Sequence, residues 1–166
     1  MRRVTAMVGA AAVVLMAATV FAQAKPNFAG SWTMDAEKTT AANPAPAGGG
    51  GGGRGGGGRG PQGPMVVKHD ATTLSVERQG PNGPTTTTYT LDGKEQTVTM
   101  GQGEAKVSAK VDGATIVITT TRDMGGNMVT TSAVWSMDGE WLVIANTQPG
   151  REGGAPTTRK TYYKKG

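Results

Sequence analysis

The sequence contains no cysteine and a single histidine, His69. Without cysteine there is no disulfide framework, no thiol nucleophile and no thiolate metal site. A Ser-His-Asp triad would need His69 beside a carboxylate such as Asp70, but adjacent residues of a strand face opposite sides of a sheet. We therefore expect no enzymatic activity, no metal and no cofactor. We predict that His69 is an exposed strand residue.

Helical periodicity and large side chains are also scarce. After residues 1–24 no segment carries an apolar period of 3.6, and aromatic residues make up only 5% of the chain. We therefore expect very low helix content and a modest core. A closed or nearly closed sheet suits such a chain, because closure removes the edge strands that would otherwise pair between molecules.

The first 24 residues have the order of a secretory signal peptide. Arg2 and Arg3 precede an apolar run at 4–21, and Ala22-Gln23-Ala24 forms a small-x-small cleavage site. The alternative is an uncleaved membrane anchor, because the run approaches the roughly 20 residues that span a bilayer. We predict cleavage after Ala24, export to the periplasm or the extracellular space, and no membrane span in the mature protein.

A glycine-rich insertion at 39–64 contains glycine runs at 48–53 and 55–58. Glycine loses the most entropy on ordering and adds no side chain to a core, so we predict a disordered loop. Arg54 and Arg59 give it an Arg-Gly-Gly character known from RNA-binding segments, but no aromatic residue is interleaved. Loss of the two leader arginines lowers the formal charge from +5 to +3, and the remaining excess lies in the last strand. We expect no nucleic-acid partner.

From position 65 onward the chain alternates apolar and polar residues with period two, which is typical of half-buried strands. The pattern is clearest at 105–112 and at 129–137. Asp-Gly pairs, which supply the positive φ angles of tight hairpins, separate several runs. They are Asp92-Gly93, Asp112-Gly113 and Asp138-Gly139. We predict one all-β domain at 25–166, an antiparallel up-and-down meander of about ten strands that closes into a monomeric barrel.

The segment Gly30-Ser31-Trp32 resembles the first-strand motif of the calycins, the superfamily of lipocalins and fatty-acid-binding proteins. In those barrels the tryptophan plugs one end, and a basic residue from the last strand lies across its ring. The basic-aromatic stretch at 158–165 is similar to that last strand. The resemblance implies that Gly30, Trp32 and Arg159 close the barrel, with Arg159 over the ring of Trp32.

Fatty-acid-binding proteins also hold a ligand carboxylate with an Arg-x-Tyr pair on the last strand. Here the spacing leaves two possibilities. Arg159 shares a strand face with Tyr163, whereas Lys160 shares the other face with Tyr162. The family's helical pair between the first two strands is replaced by polyglycine, which implies that its portal lid is missing.

The resemblance implies a barrel that binds a small apolar or amphipathic ligand. The candidate ligand contacts are Tyr89, Trp135, Arg159 and Tyr163. Core packing is the alternative role for Tyr89 and Trp135, which lie on the apolar faces of their strands. The alternative function is a non-enzymatic interaction module of the cell envelope with no internal ligand.

Overall fold

The structure, a computed structural model, describes residues 26–44, 64–80, 83–100, 103–150 and 154–166. The predicted signal peptide at 1–24, its cleavage site, and positions 45–63 of the predicted insertion lie outside these ranges. Within them, no helix is long and apolar enough to cross a membrane.

Ten antiparallel strands form one sheet, in which every strand except β4 pairs with the next strand in the chain, and the first strand also pairs with the last. The predicted ten-stranded meander is therefore confirmed. Strands β4 and β5 end the order without a ladder between them, so the barrel is nearly closed. The strands are β1 (Gly30–Met34), β2 (Met65–His69), β3 (Thr73–Gly80), β4 (Gly83–Thr90), β5 (Asp92–Met100), β6 (Gly103–Asp112), β7 (Thr115–Asp123), β8 (Met128–Asp138), β9 (Trp141–Gln148) and β10 (Thr157–Lys165).

Alternation along each strand separates a buried inner face from a polar outer face. In β6, Ala105, Val107 and Ala109 are buried whereas Lys106 and Lys110 are exposed. The inner faces meet in one apolar core. Its members are Phe28, Trp32, Met65, Val67, Leu74, Val76, Ala105, Val107, Ala109, Ile116, Ile118, Trp135, Leu142, Ile144 and Tyr163.

Two of the three Asp-Gly pairs, Asp112-Gly113 and Asp138-Gly139, lie at hairpin turns as predicted, whereas Asp92-Gly93 lies within the first residues of β5. Gly93, Gly113 and Gly139 have φ angles of 76°, 58° and 62°, a region that costs glycine little and other residues more. Gly113 and Gly139 therefore let the chain reverse between paired strands, whereas Gly93 lies where the β5–β6 register shifts, between Asp92 and Glu95.

A short helix, α1 (Ala36–Ala42), follows β1. Asp35 caps it, because its Oδ1 accepts a 2.7 Å hydrogen bond from the backbone N–H of Lys38. Positions 39–42, which we predicted to belong to a disordered loop, are therefore helical. The helix has seven residues and none of them is buried, so it carries no apolar stripe from which a helical period could be read.

Helix α1 lies along the part of β10 that β1 is too short to reach. The backbone N–H of Asp35 donates to the carbonyl of Tyr162 at 2.9 Å, and Thr39 Oγ1 accepts from Tyr162 N at 3.0 Å. The side chain of Asn43 binds both backbone groups of Lys160, at 2.6 and 2.9 Å. The helix thus satisfies main-chain groups that a strand would otherwise pair.

Candidate ligand-binding interior

Among the described strand residues, every charged side chain on the inner face of the sheet is a cation. Alternation and cross-strand pairing place Arg78, Arg122, Arg159 and Lys165 on that face. The acidic strand residues fall on the outer face: Glu77, Asp92, Glu95, Glu104, Asp112, Asp123 and Asp138. An interior of this sign favours an anionic group over a cationic one.

Arg78 and Tyr163 meet inside the barrel. Arg78 Nη1 donates a 3.4 Å hydrogen bond to the Tyr163 hydroxyl. The tyrosine is 6% exposed, and the arginine is half-buried. The contact joins β3 to β10 across the short strands β1 and β2. Sequence reasoning identified Tyr163 but missed Arg78, although alternation with Leu74 and Val76 places this cation on an apolar face.

Tyr89 lies close to two guanidinium groups. Burial raises the pKa of its phenol, while the positive charges of Arg78 and Arg122 act in the opposite direction. Tyr89 therefore keeps its proton at neutral pH and presents a neutral hydroxyl beside two cations. We call Arg78, Tyr89, Arg122 and Tyr163 the inner polar cluster.

Gln96 adds a further buried polar atom to the interior. It pairs with Val107 of β6 and so shares the inner face. Its Oε1 accepts a 3.2 Å hydrogen bond from Thr90 Oγ1, whereas its buried Nε2 makes no hydrogen bond with the described residues. Buried donors normally find an acceptor, so this amide marks a second point at which a polar group could bind.

Arg159 shares the inner face with Tyr163, and Lys160 does not. Arg159 pairs with Asn146 of β9 and is exposed. Lys160 lies on the outer face, where Asn43 binds its backbone. The choice between Arg159 and Lys160 that the sequence left open is thereby resolved in favour of Arg159. This residue lies four positions from Tyr163, toward the end of the barrel opposite Trp32. We call that end the open end, and the end that holds Trp32 the closed end.

The cation over Trp32 is Lys165, so the predicted contact with Arg159 is wrong. Trp32 pairs with Lys165 in the β1–β10 ladder, and the lysine Nζ lies 5.9 Å from the centroid of the ring. Arg159 is six residues away along β10, or roughly 20 Å. Gly30 makes room for the lysine, because a Cβ at this glycine would lie 3.2 Å from Lys165 Cε.

Trp135 lies in the closed-end core rather than in the inner polar cluster. It is 3% exposed, and its ring meets the edge of Phe28 with 6.1 Å between centroids. Of the four predicted ligand contacts, Tyr89 and Tyr163 are joined through Arg78. Arg159 lies farther along the same wall as Tyr163.

His69 is half-buried, so its predicted exposure is wrong. The segment that precedes β1 covers it: the rings of Phe28 and His69 stack at 5.6 Å with an interplanar angle of 14°. Burial lowers the pKa of His69, and the charge of Asp70 opposes this effect. Asp70 itself accepts hydrogen bonds from Thr73 and Thr72, which hold the pKa of its carboxyl far below the ordinary range.

Two clefts on the described surface lie away from the inner polar cluster. One of about 280 Å³ is at the closed end beside His69. One of about 130 Å³ is on the outer face of β2, β3 and β4. In the ranges that the structure describes, no three histidine or acidic side chains gather as a metal site would require.

No protein-family model matches the chain, and no curated protein matches it in sequence. Solved structures do share its fold. A zebrafish ileal bile acid-binding protein in complex with cholic acid has 16% identity and a TM-score of 0.57, covering 84% of this chain and 98% of that one. A secretory abundant heat soluble protein from Ramazzottius varieornatus has 14% identity and a TM-score of 0.57, covering 87% and 98%.

A third similar structure is a fatty acid transporter, REP1-NXSQ, with 16% identity, a TM-score of 0.54 and coverage of 83% of this chain and 95% of that one. At these identities the likeness concerns the fold alone. The predicted architecture is confirmed: the chain folds as a nearly closed ten-stranded barrel with the calycin-like fold of these structures.

Proposed function

We propose that the protein is an exported carrier that holds a small amphipathic molecule inside its barrel. The acidic head of the ligand would bind the inner polar cluster, and its apolar body would lie against the core. The observation that carries the proposal is the contact between Arg78 and Tyr163 on an inner face whose described charged side chains are all cationic.

The chemistry of the inner polar cluster supports an acidic head. A guanidinium presents N–H groups in a fork that matches a carboxylate. The Tyr163 hydroxyl accepts from Arg78 and keeps its own proton for a ligand oxygen. The Gln96 amide offers one more donor. Cholic acid and fatty acids, which appear in the names of two similar structures, combine an apolar body with an acidic group.

Paired probes test the acidic head. Calorimetric titration of the exported protein at pH 7.5 should show tighter binding of decanoate than of 1-decanol. We expect a ratio of about 10–100, because a hydrogen bond to a charged group contributes about 1.5–3 kcal/mol. The substitution Arg78→Met should bring the ratio close to one. Lys106→Met, on the outer face, is the matched control and should leave the ratio unchanged.

Two results would contradict this proposal separately. Equal affinity for the acid and the alcohol in the wild type excludes an acidic head group. A ratio that persists in Arg78→Met excludes Arg78 as the residue that binds it.

The alternative is an interaction module of the cell envelope without an internal ligand. It is favoured by the closed end, where Phe28 and Trp135 pack against each other and are both buried. Native mass spectrometry of protein taken from its own envelope separates the two functions. A retained small molecule supports the carrier. An unliganded mass, together with no binding of either probe, supports the module.

Export is supported by the order of basic, apolar and Ala-x-Ala segments before Lys25. Mass analysis of the exported protein should give a chain that begins at Lys25. A product that keeps Met1 and remains in the membrane would contradict export with cleavage.

A further inference from the structure

The residues that precede β1 close one end of the barrel, and we call positions 26–29 the closing segment. Phe28 is its anchor and is fully buried. The Phe28 ring stacks on His69 and meets the edge of Trp135. Its carbonyl accepts a 2.9 Å hydrogen bond from Trp32 Nε1. One residue therefore contacts side chains of β1, β2 and β8.

The backbone of the closing segment also depends on His69. The N–H of Phe28 donates a 3.2 Å hydrogen bond to Nδ1 of His69. An imidazole nitrogen that accepts a hydrogen bond carries no proton, so His69 is neutral here and its hydrogen is on Nε2. Protonation would place a second N–H at Nδ1, directly against the N–H of Phe28. Two donors cannot share one hydrogen bond, and a buried donor without an acceptor is costly.

We propose that protonation of His69 releases the closing segment and opens the closed end of the barrel to solvent. Release breaks the hydrogen bond from Phe28 N to the imidazole and separates the two stacked rings. The change would uncover Phe28 and Trp135, which form the apolar floor of the barrel. This inference does not depend on the proposed ligand, because every group involved belongs to the chain.

The surroundings of His69 allow the ring to titrate. It lines the cleft of about 280 Å³, together with Pro26, Asn27, Asp70, Ala71 and Val111, so protons and water can reach it. Asp70 is the described charged group that acts on it. The other elements packed around it present uncharged residues: the closing segment, Leu74 of β3 and Val111 of β6. Asp112, next to Val111, lies on the outer face of β6.

The direction of the pH dependence follows from the pKa of His69. Burial in the closed form lowers it below its ordinary value of 6.5, and Asp70 opposes this shift. The closed form therefore binds its proton less readily than the open form does. Closure is favoured at neutral pH and is lost as the pH falls through the lowered pKa. We expect opening below pH 6.5, the ordinary pKa of histidine.

Tryptophan fluorescence can follow the opening, because Trp32 and Trp135 both contact Phe28. In the ligand-free exported protein, emission should shift to the red with a midpoint below pH 6.5, while far-UV circular dichroism stays unchanged. His69→Asn retains a side-chain oxygen as acceptor but has no titrating ring, so the transition should disappear. Phe28→Ala should show the shifted emission already at pH 7.5.

Asp70→Asn tests the electrostatic part of the proposal. Its amide oxygen can still accept hydrogen bonds in the turn, but the charge that raises the pKa of His69 is gone. The midpoint should fall by about 0.2–0.7 pH units, as for an exposed charge pair. Lys68→Gln is the control, because Lys68 is an exposed residue of β2 next to His69 and on the opposite face. It should leave the midpoint nearly unchanged.

His69 is the single histidine, so its proton NMR signal in untagged wild-type protein reports the titration directly. This measurement does not depend on whether the variants fold. We expect a pKa below 6.5 and the Nε2–H tautomer at neutral pH. A pKa at or above 6.5, or an emission shift that persists in His69→Asn, would overturn the proposal.

Discussion

The two ends of the barrel are built from different chemistry on the same strands. Along β7 the inner face runs from Ile116 and Ile118 to Thr120 and Arg122. Along β3 it runs from Leu74 and Val76 to Arg78. The closed end packs aromatic and aliphatic side chains with little solvent, whereas the open end presents hydroxyls and guanidinium groups. Stability is therefore concentrated at one end, which leaves the other free to carry polar groups that a core would not tolerate.

The largest effect should come from removing the centre of the closed end. Trp32→Ala deletes a ring that is 2% exposed and whose Nε1 holds the closing segment. We expect a loss of about 3–5 kcal/mol in the free energy of unfolding, measured by urea denaturation. Trp141→Ala, on the outer wall and half-buried, should cost clearly less. Equal costs would mean that the closed end is not the main source of stability.

A smaller effect is expected where α1 supports the open end. Asn43→Ala removes two hydrogen bonds to the backbone of Lys160. The expected loss is about 1–2 kcal/mol, because each such bond contributes roughly 0.5–1.5 kcal/mol and part of the surface is wet. Thr40→Ala is the control, since its hydroxyl donates to the Ala36 carbonyl within the helix. A loss for Asn43→Ala no greater than that of the control would show that α1 does not support β10.

The smallest effects separate Lys165 from Arg159, the two basic residues on the inner face of β10. Lys165→Ala should cost about 0.5–1 kcal/mol, because the cation over the Trp32 ring is removed. Arg159→Ala, an exposed change far from that ring, should stay within about 0.5 kcal/mol. Double-mutant cycles sharpen the distinction: Lys165 should couple to Trp32, and Arg159 should be additive with it. Coupling of Arg159 instead would contradict the register of β1 with β10.

Alternation and turn chemistry made most of the fold predictable. The period-two pattern of β6 and β8 and the positive φ of Gly93, Gly113 and Gly139 are local properties, so the sequence displays them directly. Alternation also sorts residues by face, which is why Arg159 and Tyr163 were correctly placed together. It does not reveal which residue of one strand lies opposite which residue of another. The pairing of Trp32 with Lys165 therefore could not be read from the sequence.

The site was harder to predict because it joins distant strands. Arg78 and Tyr163 are 85 residues apart in the chain and meet across β1 and β2, which lie between their strands in the sheet. The resemblance to fatty-acid-binding proteins predicted a basic ligand contact on β10, where Arg159 lies, and not on β3. Helix α1 was missed because its contacts are capping and edge hydrogen bonds, and the sequence contains no periodic signal for those.

The shortness of β1 has a consequence for the behaviour of the protein in concentrated solution. Ladder partners on the β1 side of β10 end at Tyr163, and farther along β10 the backbone groups of Tyr162 and Lys160 are bound by α1 and Asn43. Without the helix, this stretch would be a template on which a strand from a second molecule could add. Helix α1 therefore blocks the addition of a strand from a second molecule. A chain that lacks it should polymerise under conditions in which the barrel is still folded.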